Sequence, residues 1–164
     1  MIAKLSLWFA PHPSRALRQR NNRIDAFFQR RFGRSLSSVV SGLPMLLLTT
    51  TGRRSGLPRT VALAYARIEG TVYVVGGDHG AAEHPRWFSN LRANPVVQVE
   101  IGRGRRVARA APLQAHERDA LWPRLAERLP VIDLYRARTS RPIPVVRLDL
   151  AGPPDGEEPG RASY

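Results

Sequence analysis

The sequence predicts a mainly β fold with α, an antiparallel barrel of about six strands with helices packed outside, and three observations carry that prediction. Six short runs rich in apolar and β-branched residues lie between Met45 and Leu150, punctuated by Gly, Pro and Asn. One helical pattern is inserted after the third run, and others precede the last. With 164 residues and no cysteine, the chain can bury a core without disulfide or thiolate–metal staples. Together they suggest a closed or split barrel.

Residues 14–32 set Leu17, Ile24, Phe27, Phe28 and Phe32 against Arg15, Arg18, Arg20, Arg23, Arg30 and Arg31, the pattern of a basic amphipathic helix. Such a helix either packs on the domain with its arginines in water or lies on an anionic membrane, Leu5, Trp8 and Phe9 dipping into the interface. With the connector that follows, residues 1–43 form an amino-terminal arm. Residues 44–150 form the barrel domain. Its first strand starts at Met45, where Leu46, Leu47 and Leu48 are followed by three threonines and then Gly52. Residues 60–67 alternate as a second strand, Glu69 and Gly70 turn the chain, and residues 71–75 are a third. Gly76, Gly77, Asp78, His79 and Gly80 make a glycine-rich exit. A helix begins near His84 with Pro85 in its first turn, places Trp87 and Leu91 on one face, and stops at Asn94-Pro95. Residues 96–101 and 105–112 read as a hairpin. Leu121, Leu125 and Leu129 define a helix over residues 117–129, which Pro123 is expected to break in two. A short helical turn over 132–138 and a last strand over 143–150 complete the domain, and residues 151–164, rich in Pro, Gly and Glu, read as a disordered tail.

The net charge of +13 favours anionic partners. Its distribution is uneven. Residues 1–68 hold 12 of the 26 Lys and Arg but one of the 13 acids, net +11, whereas residues 69–164 hold 14 and 12, net +2. No apolar run is long enough to span a bilayer, and no signal-peptide pattern is read at the start, so the expected location is cytoplasmic, peripheral to the inner face of the plasma membrane if the arm binds lipid.

The densest cluster of anion-binding groups is the loop after the first strand. Gly52, Gly56 and Pro58 bracket Arg53, Arg54 and Ser55, with Arg59 and Thr60 following, so guanidinium forks, hydroxyls and outward-facing backbone amides are expected to converge on a phosphate. The loop carries no Walker lysine and no dinucleotide-binding glycine spacing. Catalytic machinery is otherwise thin: His12, His79, His84 and His116 are scattered without metal-ligand spacing, so no metal is assigned, and no nucleophile elbow appears. An anion cradle with little acid–base apparatus fits a protein that binds a reactive cofactor and leaves the chemistry to it.

The run L-L-L-T-T-T-G-R-R-S-G-L-P-R-T, then G-G-D-H-G, H-P-R-W-F-S-N-L-R-A-N-P, L-W-P-R-L and Y-R-A-R-T-S-R-P-I-P-V-V-R-L, in that order over about residues 44–150, resembles the deazaflavin (coenzyme F420)-dependent nitroreductase family of split β-barrel proteins. The resemblance implies a split β-barrel that binds F420, whose phosphate and acidic oligoglutamate tail would meet Arg53, Arg54, Ser55, Gly56, Pro58, Arg59 and Thr60. It implies that Val75, Gly76, Gly77 and Asp78 pass the deazaflavin ring and that Tyr135 stands on the substrate side as the catalytic residue. His84, Pro85, Trp87, Asn90 and Asn94 match the family's helix signature, read first as scaffold. Val131, Ile132, Asp133 and Leu134 precede Tyr135 where members acting on bulky nitro compounds are richer in tyrosine, which favours a quinone-like or other small conjugated acceptor as much as a nitro compound. The expected activity is an F420H2-dependent oxidoreductase. FMN is the alternative cofactor, and a coenzyme carrier or an anionic-membrane or nucleic-acid binding module are the alternative functions. Against nucleic acid, no aromatic residues are interleaved with the arginine loop. No oligomeric state follows from the sequence.

Overall fold

The computed structural model describes residues 42–152. The expected basic helix, most of the connector and the carboxy-terminal tail beyond residue 152 lie outside the described residues. Six strands, β1 (Met45–Thr51), β2 (Pro58–Ile68), β3 (Thr71–Val75), β4 (Val96–Ile101), β5 (Gly104–Pro112) and β6 (Val145–Leu150), close an antiparallel barrel in the order β1-β2-β3-β6-β5-β4. Closure comes from β4 returning to β1, with Leu47 opposite Glu100 and Thr49 opposite Gln98, so no strand edge is left open.

β2 is shared lengthwise. Residues 58–64 pair with β1 and Tyr65 to Ile68 pair with β3, which turns the sheet through a barrel corner. It starts at Pro58, earlier than its alternation predicts, because the ladder to β1 extends to Thr51. Glu69 and Gly70, at φ 50° and 80°, form the two-residue turn whose twist matches a tight hairpin.

Three helices complete the domain: α1 (Arg86–Ala93), α2 (Ala115–Arg128) and α3 (Val131–Ala137). Leu46, Leu48, Val72, Val74, Val97, Val99, Val146 and Leu148 fill the barrel with Trp87, Phe88 and Leu91 of α1. Burial of each such aliphatic side chain contributes about 1.5–3 kcal/mol, so Leu48 or Leu148 replaced by alanine would cost about 2–5 kcal/mol. A second cluster, Ala66, Ile68, Trp122, Leu125, Leu129, Ile132, Tyr135, Ile143 and Val145, packs α2 and α3 on the barrel's outside.

Several boundaries differ from the sequence reading. Pro85 is the cap before α1 and not a residue of its first turn. α2 starts at Ala115 because Gln114 and Glu117 form a reciprocal capping box, the Glu117 carboxylate accepting the Gln114 amide at 2.8 Å. Pro123 does not break it. The helix runs on to Arg128 with Trp122 and Leu125 buried on either side of the proline, packing that offsets the one helical hydrogen bond that proline cannot make. β6 starts at Val145, since Pro144 has no amide for the ladder and instead offers its carbonyl to the Gly76 amide at 2.8 Å.

Candidate active site

One end of the barrel gathers the β1–β2 loop, the exit from β3, α1, and the segment entering β6. The β1–β2 loop is tied within itself: Gly52 N–H donates to Leu57 O and Gly56 N–H to Gly52 O, each at 2.8 Å, and Leu57 N–H donates to Ser55 Oγ at 3.3 Å. Gly52 sits where a Cβ would lie 2.6 Å from Ser55 Oγ, and Gly56 at φ 66° supplies the left-handed turn. Arg53 N–H donates to Asn90 Oδ1 at 3.2 Å, Asn90 Nδ2 donates to Thr50 Oγ1 at 3.1 Å, and Thr50 Oγ1 reaches Arg59 O at 3.4 Å. Buried Asn90 on α1 thereby holds both arms of the loop.

This narrows the set of backbone amides that can face outward. The amides of Gly52, Arg53, Gly56 and Leu57 are engaged inside the protein, whereas those of Arg54 and Ser55, at the exposed tip, bond to none of the described residues, so the loop's outward donors are these two amides and its side chains. The Thr60 hydroxyl is also engaged, 2.8 Å from Thr49 Oγ1 across the ladder. Arg53, Arg54, Ser55, Gly56, Pro58 and Arg59 are exposed. Among the described residues the Arg53 and Arg54 guanidiniums have no partner, and that of Arg59 makes one long contact, 3.5 Å, to Ser55 Oγ.

Val75 ends β3 opposite Val145, and Gly76 and Gly77 lead into a single tight turn over Asp78–Gly80. Asp78, His79 and Gly80 take φ of 42°, 56° and 82°. Left-handed backbone at the two non-glycine positions costs about 1–3 kcal/mol each, a strain typical of functional loops. The two glycines make room for the protein itself: a Cβ at Gly76 would lie 2.7 Å from Pro144 Cγ, and one at Gly77 would lie 2.3 Å from Tyr135 Cδ2. Tyr135 on α3 is therefore pressed against Gly77, its ring edge-on to His79 at 5.4 Å. Burial pushes its phenol well above the usual tyrosine range, opposed by the Arg138 charge and reinforced by Asp78, so it stays protonated as a donor. α3 is itself held by Trp122 of α2, whose indole N–H donates to Asp133 at 2.8 Å while Arg136 covers the ring at 4.8 Å.

The sequence-predicted residues thus fall into two groups joined by α1. Val75, Gly76, Gly77 and Asp78 come together with Tyr135, and Arg53 to Thr60 form the second group. Pro85, at the start of α1, packs on Gly76, and Asn90 one turn later holds the arginine loop. Arg141, which binds the glycine-rich turn from the α3–β6 connector, was not singled out from the sequence: a lone arginine before a proline carries no periodic signal.

The sequence profile of the F420H(2)-dependent quinone reductases matches residues 21–149. The chain belongs to that family. It is 39% identical over 127 residues to an F420H(2)-dependent quinone reductase of Mycobacterium tuberculosis strain H37Rv, 76% of this chain and 85% of that protein. Among solved structures, an F420-H2 dependent reductase, FDR-A, superposes with a TM-score of 0.59 at 34% identity, covering 65% of this chain and 94% of that one. The heme storage protein HutZ of Vibrio cholerae, at 19% identity and a TM-score of 0.50 over 67% of this chain and 83% of that one, shares the fold alone. Membership makes this protein an oxidoreductase of the split-barrel class. Among the described residues no helix is long and apolar enough to cross a membrane.

Proposed function

We propose that the protein reduces a quinone with F420H2, holding the coenzyme across the barrel end just described. The observation that carries this reading is the pairing of the Arg53 and Arg54 guanidiniums, which have no partner among the described residues, on a loop held by Asn90, with a strained glycine turn pressed on Tyr135. A ligand with a phosphate and several carboxylates suits such a donor set, because guanidinium forks make charge-assisted, two-pronged bonds to both groups. Arg53, Arg54 and Arg59 would hold the phosphate and acidic tail, with Ser55 beside them, and the segment from Val75 to Asp78 would flank the ring. When bound, the reduced deazaflavin supplies the hydride.

The chain's own contribution is to bind, orient and exclude water. Quinone reduction to hydroquinone takes up one hydride and one proton. With its phenol held protonated, Tyr135 is suited to donating a hydrogen bond to the acceptor oxygen, and the proton comes from solvent. Tyr135→Phe is expected to lower turnover about tenfold, the worth of one such bond, with coenzyme affinity unchanged. A fluorescence titration with oxidised F420, run beside FMN, tests the reading directly. Saturable binding of the deazaflavin in preference to FMN supports it, and binding of FMN alone or of neither overturns it.

A further inference from the structure

We propose that Arg141 is a positioning residue, its guanidinium holding the strained 76–81 segment in shape for the coenzyme, an inference that rests on the site reading above. Arg141 lies in the connector between α3 and β6. Its Nε donates to Ala81 O at 2.7 Å, its Nη2 to Gly77 O at 3.0 Å and Gly76 O at 3.1 Å, and its Nη1 to His84 Nδ1 at 3.2 Å. One planar fork thus gathers carbonyls from both sides of the turn and the histidine that leads into α1. Arginine has no acceptor, so His84 accepts at Nδ1 and is the neutral tautomer protonated at Nε2.

Three points separate this from ordinary surface bonding. The turn closes on itself through Gly80 N–H to Gly77 O at 2.9 Å and Ala81 N–H to Asp78 O at 3.0 Å, while Asp78 and His79 hold left-handed backbone. Such a conformation persists only where the surroundings over-determine it. Both hydrophobic clusters and the barrel ladder exclude Arg141, so its removal loosens the turn and leaves the scaffold. A second strap comes from the same short segment, where Thr139 Oγ1 meets Ala81 O at 3.5 Å and the Arg141 amide at 3.3 Å. Lysine cannot substitute, since an ammonium is a point donor and cannot span carbonyls on opposite sides of a turn.

The experiment compares the full chain with Arg141→Ala and Arg141→Lys by amide hydrogen exchange, F420 titration and quinone turnover. In R141A the amides of residues 77–81 are expected to exchange about tenfold faster with strand amides unchanged, and the F420 dissociation constant to rise about tenfold, the worth of one charge-assisted bond. Millimolar guanidinium should restore part of the affinity of R141A and none of that of R141K, a rescue that general loss of stability would not show. Unchanged exchange at 77–81 overturns the tether. Faster exchange with parental affinity and turnover overturns its role in the reaction. Failure of the parent chain to bind F420 overturns the site reading and the coenzyme half of this one, and exchange in the two variants still decides whether Arg141 holds the turn; R141K keeps the charge should R141A fail to fold.

Discussion

The two ends of the barrel are both rich in arginine, yet they differ in how much of it is engaged. At the far end, Arg67 donates to Gly70 O at 3.2 Å, Arg106 to Ala151 O at 3.3 Å, and Arg105 to Gln98, while Arg124 of α2 reaches Glu69 at 2.9 Å. Those guanidiniums are occupied by the turns they brace. Arg67 and Arg106 line, with Val99, Ile101 and Leu150, a cavity of about 110 Å³, too small for a coenzyme. At the site end the charges of Arg53 and Arg54 have no partner among the described residues, while most of the loop's backbone amides are engaged. Arginine density therefore does not by itself mark a binding site, and neither does a free guanidinium, since Arg103 in the far-end turn is exposed without a bond to the described residues while Arg141 at the site end is fully engaged. Strain divides the same way, since left-handed Glu69 opens on solvent in a tight hairpin whereas His79 in the left-handed 78–80 turn packs its ring on Tyr135 of α3.

The sharpest test pits the two ends against each other. Replacing Arg53 and Arg54 with alanine should weaken F420 binding about 100-fold, as expected for two charge-assisted bonds, whereas the Arg105/Arg106 pair should change it less than about twofold, both read by fluorescence titration. Equal effects would mean that the coenzyme senses only the overall field. Stability offers a second contrast. Gly77→Ala drives a methyl into the Tyr135 ring and should cost about 2–3 kcal/mol, while Gly70→Ala, at φ 80° with nothing within 4 Å, should cost only the conformational penalty, about 1 kcal/mol, in denaturant unfolding.

The smallest effect expected is a dependence on pH confined to the site end. Burial lowers the His84 proton affinity first, then the charges of Arg141 from the connector and Arg92 from α1, with the uncharged Phe88 ring against its face. Because folding depresses this basic group, the unfolded chain binds its proton more readily. Its contribution is whole above the ordinary value of 6.5 and is lost as pH falls through the lowered one. Melting temperature should slope downward from about pH 7 to about pH 5 in the parent and more gently in His84→Gln, which keeps an acceptor but cannot charge.

How much of this was legible in the sequence depended on range. The six strands, the glycine-rich exit and the apolar face of α1 follow from residues within a few positions of one another, and these agree with the structure to within a few residues. Pro123 misled because its local veto on helix is overridden by Trp122 and Leu125, whose packing partners lie on other elements. Asn90 to Arg53 spans 37 residues and Arg141 to Gly76 spans 65, so neither tether leaves a periodic trace. Which of the loop's amides stay outward is hidden for a related reason: that Asn90 takes the amide of Arg53, and Ser55 that of Leu57, depends on how α1 docks and on how the loop folds onto itself.

α1 has a consequence that reaches past this protein. Its start rests on Gly76, and five residues later it grips Arg53, so a single rigid rod, at about 1.5 Å per residue, sets the span between the two loops of the candidate site to within one helical turn. It works as a gauge. Loops on either side can vary in sequence, but adding or deleting one residue between Pro85 and Asn90 would swing the asparagine about 100° around the axis and release the arginine loop altogether. The distance between the two loops is, in such a design, written in the pitch of the helix that joins them.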